Sequence, residues 1–321
     1  MNVSRRSILS ASLAALGTRA LALPVSAQTP PTALRLGMTP DVDVSNVVWE
    51  VPNGIFPRLG LQLEGQRLGS GSAVTAAVIG GSIDIGTASI FGLMNAHLRG
   101  VPIVLESAQA IYDASSPDTA FVVAKNSPIT TVAQLNGATI SVAALGDLFT
   151  IGTSAWVDQN GGNSKTLNFV ELPVPSAAAA IASGRITGAL LVEPFLEDAL
   201  ERGLVRVLGH PYDLIAPRFA ITYYFCSASY AASNKDVLAR FRRGITQAIA
   251  YANGHKSEVY ALAAKDSGTS LETVQHIPFV LGTGLDPRLI QPVIDYAARY
   301  KFIPKAFPAS EMIDPNALAA S

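Results

Sequence analysis

Apolar and polar positions along this chain change period in a regular way. Ala33-Leu34-Arg35-Leu36-Gly37-Met38 alternates on a period of two and predicts a strand, as does Leu61-Gln62-Leu63-Glu64-Gly65. Helical spacing then predicts a helix over residues 71–79, a strand over 83–86, a helix over 88–98 and a strand over 101–108. The alternation repeats, with strands predicted at 119–124, 139–142, 167–171 and 188–192 and helices at 149–159, 176–182 and 193–201. Beyond residue 228 the pattern turns helical, over 236–252, 257–265, 271–276 and 287–300. Strands that alternate with helices imply α/β layers, with parallel pairing and right-handed crossovers.

An internal echo links the two halves. Residues 76–86, Ala-Ala-Val-Ile-Gly-Gly-Ser-Ile-Asp-Ile-Gly, parallel residues 179–189, Ala-Ala-Ile-Ala-Ser-Gly-Arg-Ile-Thr-Gly-Ala. Both read as a small-residue helix, a glycine stop, one polar residue and a short strand. Glycine suits the stop because it enters the left-handed region without a Cβ penalty. One echo predicts two similar lobes rather than a repeat array.

The N-terminus changes the picture of where such a fold would work. Arg5-Arg6 follows Ser4, a weakly apolar run covers residues 8–23, and Val25-Ser26-Ala27 precedes Gln28. A basic start, an apolar middle and a small-residue cleavage site make an export signal over residues 1–27, and the paired arginines match the twin-arginine pattern. Arg19 interrupts the run, which argues against a bilayer span of about 20 apolar residues. No cysteine follows the cleavage site, so no lipid anchor is expected. The expected location is the periplasm. Residues 1–27 carry three arginines and no acid, leaving 20 basic and 24 acidic side chains, a net of −4. That balance does not suit tracking along a phosphate backbone, so no nucleic-acid partner is expected. Hydrophobic residues at 49% and charged residues at 15% suit a well-cored protein of about two domains.

Candidate chemistry is sparse. Cys226 is the lone cysteine and sits in the apolar run Ile221-Thr222-Tyr223-Tyr224-Phe225-Cys226. With no neighbouring histidine or helix start to lower its pKa, it reads as a buried structural thiol. His97, His210, His255 and His276 show no metal-ligand spacing, and no Gly-x-Ser-x-Gly elbow or P-loop occurs. No metal and no cofactor are expected.

Four segments carry a resemblance to a known family. The stretch from Leu68-Gly69-Ser70-Gly71-Ser72-Ala73 to Gly80-Gly81-Ser82-Ile83-Asp84-Ile85-Gly86-Thr87-Ala88-Ser89 resembles the substrate-binding proteins of nitrate, sulfonate and taurine ABC transporters. That broad family also includes the pyrimidine-precursor binders related to thiamine biosynthesis. Gly100-Val101-Pro102-Ile103-Val104 and Val132-Ala133-Gln134-Leu135-Asn136-Gly137 resemble its next strand and the start of its second lobe. Ala182-Ser183-Gly184-Arg185-Ile186 to Glu193-Pro194-Phe195 resembles its second-lobe signature, with Thr187 standing where the family usually has an acid. The resemblance covers residues 33–300. It implies a two-lobe periplasmic-binding-protein type II fold with two crossing hinge strands, near 111–121 and 219–226. Lobe one would then comprise 28–115 plus 226–321, and lobe two 116–225.

Ligands of such folds bind beyond the carboxyl ends of the strands, in the cleft between lobes. That rule nominates Thr39, Asp41 and Asp43 after the first strand, Ser70, Gly71, Ser72 and Ala73 after the second, and Thr87 and Ser89 after the third. Lobe two offers Gly146, Asp147, Leu148, Phe149 and Thr150 at a helix start and Glu193 before Pro194. Free N–H groups at helix starts suit an anion, although Ser72 and Thr87 would serve equally as ordinary N-caps. Glu193 would either accept from a ligand amine or ring N–H, or serve its own helix. Of Tyr223 and Tyr224 only one can face the cleft, because strand side chains alternate; Tyr224 is nominated. Trp49 suits either a stacked ligand or the core.

The expected function is a non-catalytic, monomeric solute-binding protein that hands a small organic or oxyanionic solute to ABC permease subunits. Two alternatives stand beside it. One is an enzyme on the same fold, of pyrimidine-precursor synthase or lyase type; yeast-type synthases of this resemblance need a cysteine-rich iron site, and one cysteine is too few. The other is a ligand-presenting sensory module.

Overall fold

Leu34, Leu36 and Met38 point inward while Ala33 and Arg35 stay exposed, so the first strand is buried on alternate positions as its pattern predicts. The computed structural model describes residues 30–39, 44–50, 54–267, 270–275 and 277–318. The export signal expected over residues 1–27 lies outside the described residues, as do Asp41, Asp43 and His276.

Strands and helices alternate through the first lobe as β1 (Thr32–Met38), α1 (Ile55–Arg58), β2 (Leu61–Arg67), α2 (Gly71–Ile79), β3 (Ile85–Ser89), α3 (Ile90–Leu98) and β4 (Ile103–Ala108). After β5 (Ile111–Asp113) come β6 (Thr119–Ala124), β7 (Thr139–Val142), α4 (Leu148–Gln159), β8 (Asn168–Glu171), α5 (Val174–Ala182), β9 (Gly188–Val192), α6 (Phe195–Glu201) and β10 (Val205–Gly209). The chain returns through β11 (Arg218–Ala220) and β12 (Thr222–Ser227). It ends in α7 (Ala228–Ser233), α8 (Lys235–Gly254), α9 (Lys256–Ser267), α10 (Leu271–Val274), α11 (Gln291–Arg299) and α12 (Pro315–Leu318).

Two five-stranded sheets result, ordered β2-β1-β3-β12-β4 and β8-β7-β9-β6-β10. They share one plan. In each, the middle strand pairs in parallel with the next, and the strand that arrives from the other lobe inserts antiparallel beside it: β12 against β3 and β6 against β9. The third, two-stranded sheet is the hinge, where β5 and β11 pair antiparallel with Tyr112 opposite Phe219. The fold is thus α/β with two lobes and two crossing strands. Sheet two draws on residues 119–209, while β12 joins sheet one from Thr222, because Thr222 already pairs with Ser89. The boundary expected at residue 225 therefore falls inside a sheet-one strand.

The internal echo has a backbone basis. Gly81 and Gly184 both have φ +73°. Each closes its helix with the same pair of bonds: Gly81 N to Val78 O and Ser82 N to Ala77 O, Gly184 N to Ile181 O and Arg185 N to Ala180 O. After the turn, Asp84 N bonds Arg35 O as Thr187 N bonds Thr139 O. Asp84 also holds the Arg35 guanidinium at 2.6 and 2.9 Å. In lobe two the corresponding pair is Thr139 and Thr187, so an acid at 187 would face no arginine.

Helix α8 covers one face of sheet one. Leu238, Phe241, Ile245, Ala248 and Ala252 recur at helical spacing and are buried, and Phe241 meets Tyr224 edge-on at 5.4 Å. Full burial of such side chains stabilises by about 1.5–3 kcal/mol each. The other face packs on α2 and α3, and that core continues into lobe two. Helix α11 makes the connection. Val293, Ile294 and Ala297 are buried in the shared cluster, and Tyr296 Oη accepts from Gln159 Nε2 of α4 at 2.9 Å. Beyond α11, Phe302 meets Phe91 of α3 at 6.5 Å. No helix among the described residues is long and apolar enough to cross a membrane.

Candidate functional site

Each lobe presents strand ends that run into helix starts. In lobe one, Ser70 is extended and caps α2, its Oγ accepting from Ala73 N at 3.2 Å and pairing with Ser72 Oγ at 2.9 Å. Ser89 caps α3, accepting from Gly92 N at 3.3 Å. The two starts border one cavity of about 530 Å³ between α2 and α3, whose walls include Gly71, Ser72, Thr75, Ala88, Ser89 and Gly92. A Cβ on Gly71 would meet only Ala88 Cβ, at 3.7 Å. The glycine is therefore not required for packing, and a larger side chain there would enter the open space.

Gly71, Ser72 and Ser89 are thus brought together. Other nominated residues fall elsewhere. Thr87 is buried inside β3 opposite Tyr224, because the strand runs on to Ser89 and the helix begins two residues later than its pattern predicts; it caps nothing. Ala73 supplies the N–H that Ser70 caps and does not line the cavity. Tyr224 is 2% exposed and packs under α8, so the face nominated for the cleft is a core face. Its neighbour Tyr223 is equally buried, with a hydroxyl that has no hydrogen-bond partner. Thr39 follows the end of β1, and its carbonyl accepts from Arg67 Nη1 at 3.2 Å; Arg67 is also paired with Asp266. Trp49 lies over Gly65, where a Cβ would collide with its ring, which is the core reading.

In lobe two the loop after β7 is pinned by three side chains. Ala144 N donates to Asp147 Oδ2 at 3.0 Å, Leu145 N to Glu171 Oε1 at 2.8 Å, and Gly146 N to Thr150 Oγ1 at 3.2 Å. Asp147 also caps α4 through Thr150 N at 2.9 Å, and burial raises its pKa against these bonds. Phe149 is half-buried and stacks on Tyr212 at 6.4 Å, within an aromatic group that includes Tyr112 and Phe219 of the hinge strands. Phe149 therefore fastens α4 to the hinge.

Glu193 stands just before Pro194, the N-cap of α6, and its Oε2 accepts from Glu197 N at 3.0 Å. The carboxylate serves its own helix. Burial pushes its pKa up to about 7, with the charges of Glu197 and Asp118 adding to the effect and the Glu197 N–H opposing it. Cys226 is buried against Glu106, its Sγ 3.3 Å from Oε1, and its pKa is raised by burial and by that carboxylate. Among the described residues no group of His, Cys, Asp and Glu could hold a metal.

Sequence reading nominated Ser70 for the cleft but gave the cap to Ser72, and it missed Glu171 as the clamp on Leu145 and the aromatic residues Phe91 and Phe302. Glu171 carried a signal, lying at the end of β8. Phe302 carried none, being more than 200 residues from Phe91.

Residues 43–259 match the family model described as NMT1/THI5 like. No curated protein matches the chain. Among solved structures, the periplasmic aliphatic sulphonate binding protein SsuA from Escherichia coli superposes with a TM-score of 0.74 at 22% identity, covering 88% of this chain and 92% of that one. The periplasmic nitrate-binding protein NrtA from Synechocystis PCC 6803 gives 0.73 at 10% identity, over 90% and 88%. The desulfurization enzyme DSZB gives 0.66 at 16% identity, over 90% and 98%.

Proposed function

The chain belongs to the NMT1/THI5-like family, and from that premise we propose that it is an exported solute-binding protein that captures a small oxyanion-headed solute between its lobes and delivers it to an ABC importer. The observation that carries this reading is the pair of serine-capped starts, Ser70 of α2 and Ser89 of α3, beside one lobe-one groove that runs between the two helices from Gly71 and Ser89 to Arg99 and Val101. The first N–H groups of a helix lie outside its own ladder and, with the helix dipole, favour a negative charge. Hydroxyls of Ser72 and Ser89 add donors. The sulphonate and nitrate binders named among the structural neighbours support the same class of solute.

The two described carboxylates near the proposed cleft do not compete for the opposite reading. Asp147 and Glu193 each accept from backbone N–H groups of their own helix, which leaves the amine-binding role of Glu193 unsupported. The lobes would close by rotation about β5 and β11, with lobe one taking residues 28–115 and 226–321 and lobe two 116–225, apart from the sheet-one residues of β12. The working form is a monomer in the periplasm, its signal removed after Ala27, with a membrane permease as partner and no nucleic acid.

A second reading is catalysis, since DSZB shares the fold. Against it, the lone thiol, Cys226, is buried beside a carboxylate and held protonated. A thermal-shift screen over nitrate, sulfonates and carboxylates tests the proposal. Ligand at 100 times Kd should stabilise by about 2.7 kcal/mol. Stabilisation by amines and pyrimidines alone would overturn the oxyanion assignment, and turnover of a bound sulfonate would favour the enzyme. Permease and ATPase genes beside this one would separate transport from sensing.

A further inference from the structure

A rigid apolar edge stands beside these helix starts. Leu145 is 58% exposed, unusual for a leucine in a loop whose backbone is fully tied. The N–H groups of Ala144, Leu145 and Gly146 all donate to side chains of Asp147, Glu171 and Thr150. The loop therefore cannot collapse to bury Leu145, and exposed apolar surface of this kind costs about 25 cal/mol per Å² until something covers it. The next residue, Gly146, lies against Phe302: a Cβ on Gly146 would stand 3.7 Å from Phe302 Cδ1. Phe302 in turn meets Phe91, in the first turn of α3, edge-on with ring centroids 6.5 Å apart.

Three separate parts of the chain thus come together between the start of α3 and the start of α4. Phe91 comes from lobe one, Leu145 and Gly146 from lobe two, and Phe302 from the segment after α11. The backbone at Phe302 is fixed by the helix stop. Lys301 has φ +62°, the one positive φ outside glycine among the described residues, and Phe302 N bonds Ala297 O at 2.9 Å. Ile303, next in sequence, is buried. The Phe302 ring is consequently held at a set place, partly buried against the core that joins the lobes.

We propose that Phe302 is a specificity-determining residue of the ligand cleft, supplied by the C-terminal segment, and that with Phe91 and Leu145 it reads a flat apolar body on the solute, favouring aryl oxyanions over small ones. The proposal rests on the solute-binding reading above. Aromatic side chains suit such a role, because their large faces contact a flat ligand with few torsions to freeze. An inorganic or one-carbon anion would fill the helix starts and leave this edge uncovered.

The test compares four probes that share two head groups: benzenesulfonate against methanesulfonate, and benzoate against acetate. Calorimetric titration of the full mature chain should show each aryl anion binding at least tenfold tighter than its one-carbon partner. Phe302→Ala should reduce that ratio by about tenfold while leaving methanesulfonate and acetate affinities unchanged. Phe302→Leu, which keeps the apolar volume and fold, should give an intermediate ratio and serves where the alanine variant does not fold. An unchanged ratio in either folded variant overturns the role of Phe302 and leaves solute binding standing. An equal fall for all four probes marks a merely structural residue and also overturns it. Failure of the wild-type chain to bind any of the four overturns both the inference and the oxyanion reading.

Discussion

Glu193 is the residue at which local and global demands separate. Its carboxylate caps α6, yet burial lifts its pKa from 4.5 to about 7. A proton held more tightly by the folded than by the unfolded chain stabilises the fold fully below pH 4.5, and that contribution is lost as pH rises through 7. The wild type should lose stability from this group between pH 4.5 and 7, by roughly 1–2 kcal/mol after solvent screening. Urea denaturation of Glu193→Gln should show a shallower decline, and oxyanion affinity at pH 7 should match wild type or exceed it. A large loss of affinity in that variant would restore Glu193 as a ligand residue. Lys301 offers a second test at this scale. It occupies the left-handed position that glycine fills in the stops after α2 and α5, so Lys301→Gly should stabilise by up to about 1 kcal/mol, read as a higher denaturation midpoint.

At the scale of elements, the proposed reading gives the site to α2 and α3, whose serine caps leave the remaining first-turn N–H groups without a partner inside their own helices. Gly71→Val should keep the fold, since a Cβ there meets only Ala88, and should weaken ligand binding at least tenfold by filling the cavity. Circular dichroism and titration together check this, and wild-type affinity in a folded Gly71→Val protein would move the site. Another element-scale device holds the tail. Arg242 of α8 reaches Glu106 of β4 at 2.5 Å and Asp314 at 3.4 Å, both carboxylates buried. Asp314 N bonds Leu105 O, so the triad pins the segment before α12 to the edge of sheet one. Arg242→Met would leave two buried acids without a counter-charge and should cost about 3–5 kcal/mol, read from denaturation at pH 8.

For the whole molecule, two connections set how the lobes move. The hinge pair β5 and β11 is braced by Tyr112, Tyr212 and Phe219, with Tyr112 Oη donating to Asp213 at 2.6 Å. Helix α11 ties α3 to α4 through a core that runs from one lobe to the other. On the proposed reading, closure on a ligand would be a rotation about these braced strands, with the closed state favoured by contacts to both lobes. Export also belongs to this scale. Mass spectrometry of the periplasmic fraction should find Gln28 at the N-terminus, and Arg5→Lys with Arg6→Lys should hold the precursor inside the cell. Unchanged export of the double variant would rule out the twin-arginine route.

Much of this was legible along the chain because its physics is local. Alternation predicted β1 and β2, short apolar runs between helices predicted β6, β7 and β9, helical spacing predicted α2, α4 and α8, and the echo at 76–86 and 179–189 predicted two lobes, because a Gly stop with φ +73° leaves the same mark in both. Gly71, Ser72 and Ser89 could be nominated because strand ends and helix starts are encoded nearby. Elsewhere the outcome depended on distant partners. Thr87 became strand rather than cap because β12, more than 130 residues later, pairs with it. Tyr224 went to the core because α8 covers that face, and alternation alone cannot say which face is covered. Glu193 turned to its own helix because Glu197 N–H lay within reach. Phe302 met Phe91 and Gly146 only because α11 packs on both α3 and α4. Side-chain period is a property of neighbours in sequence; which face meets a helix, a ligand or the other lobe is a property of packing, and only the tertiary structure decides it.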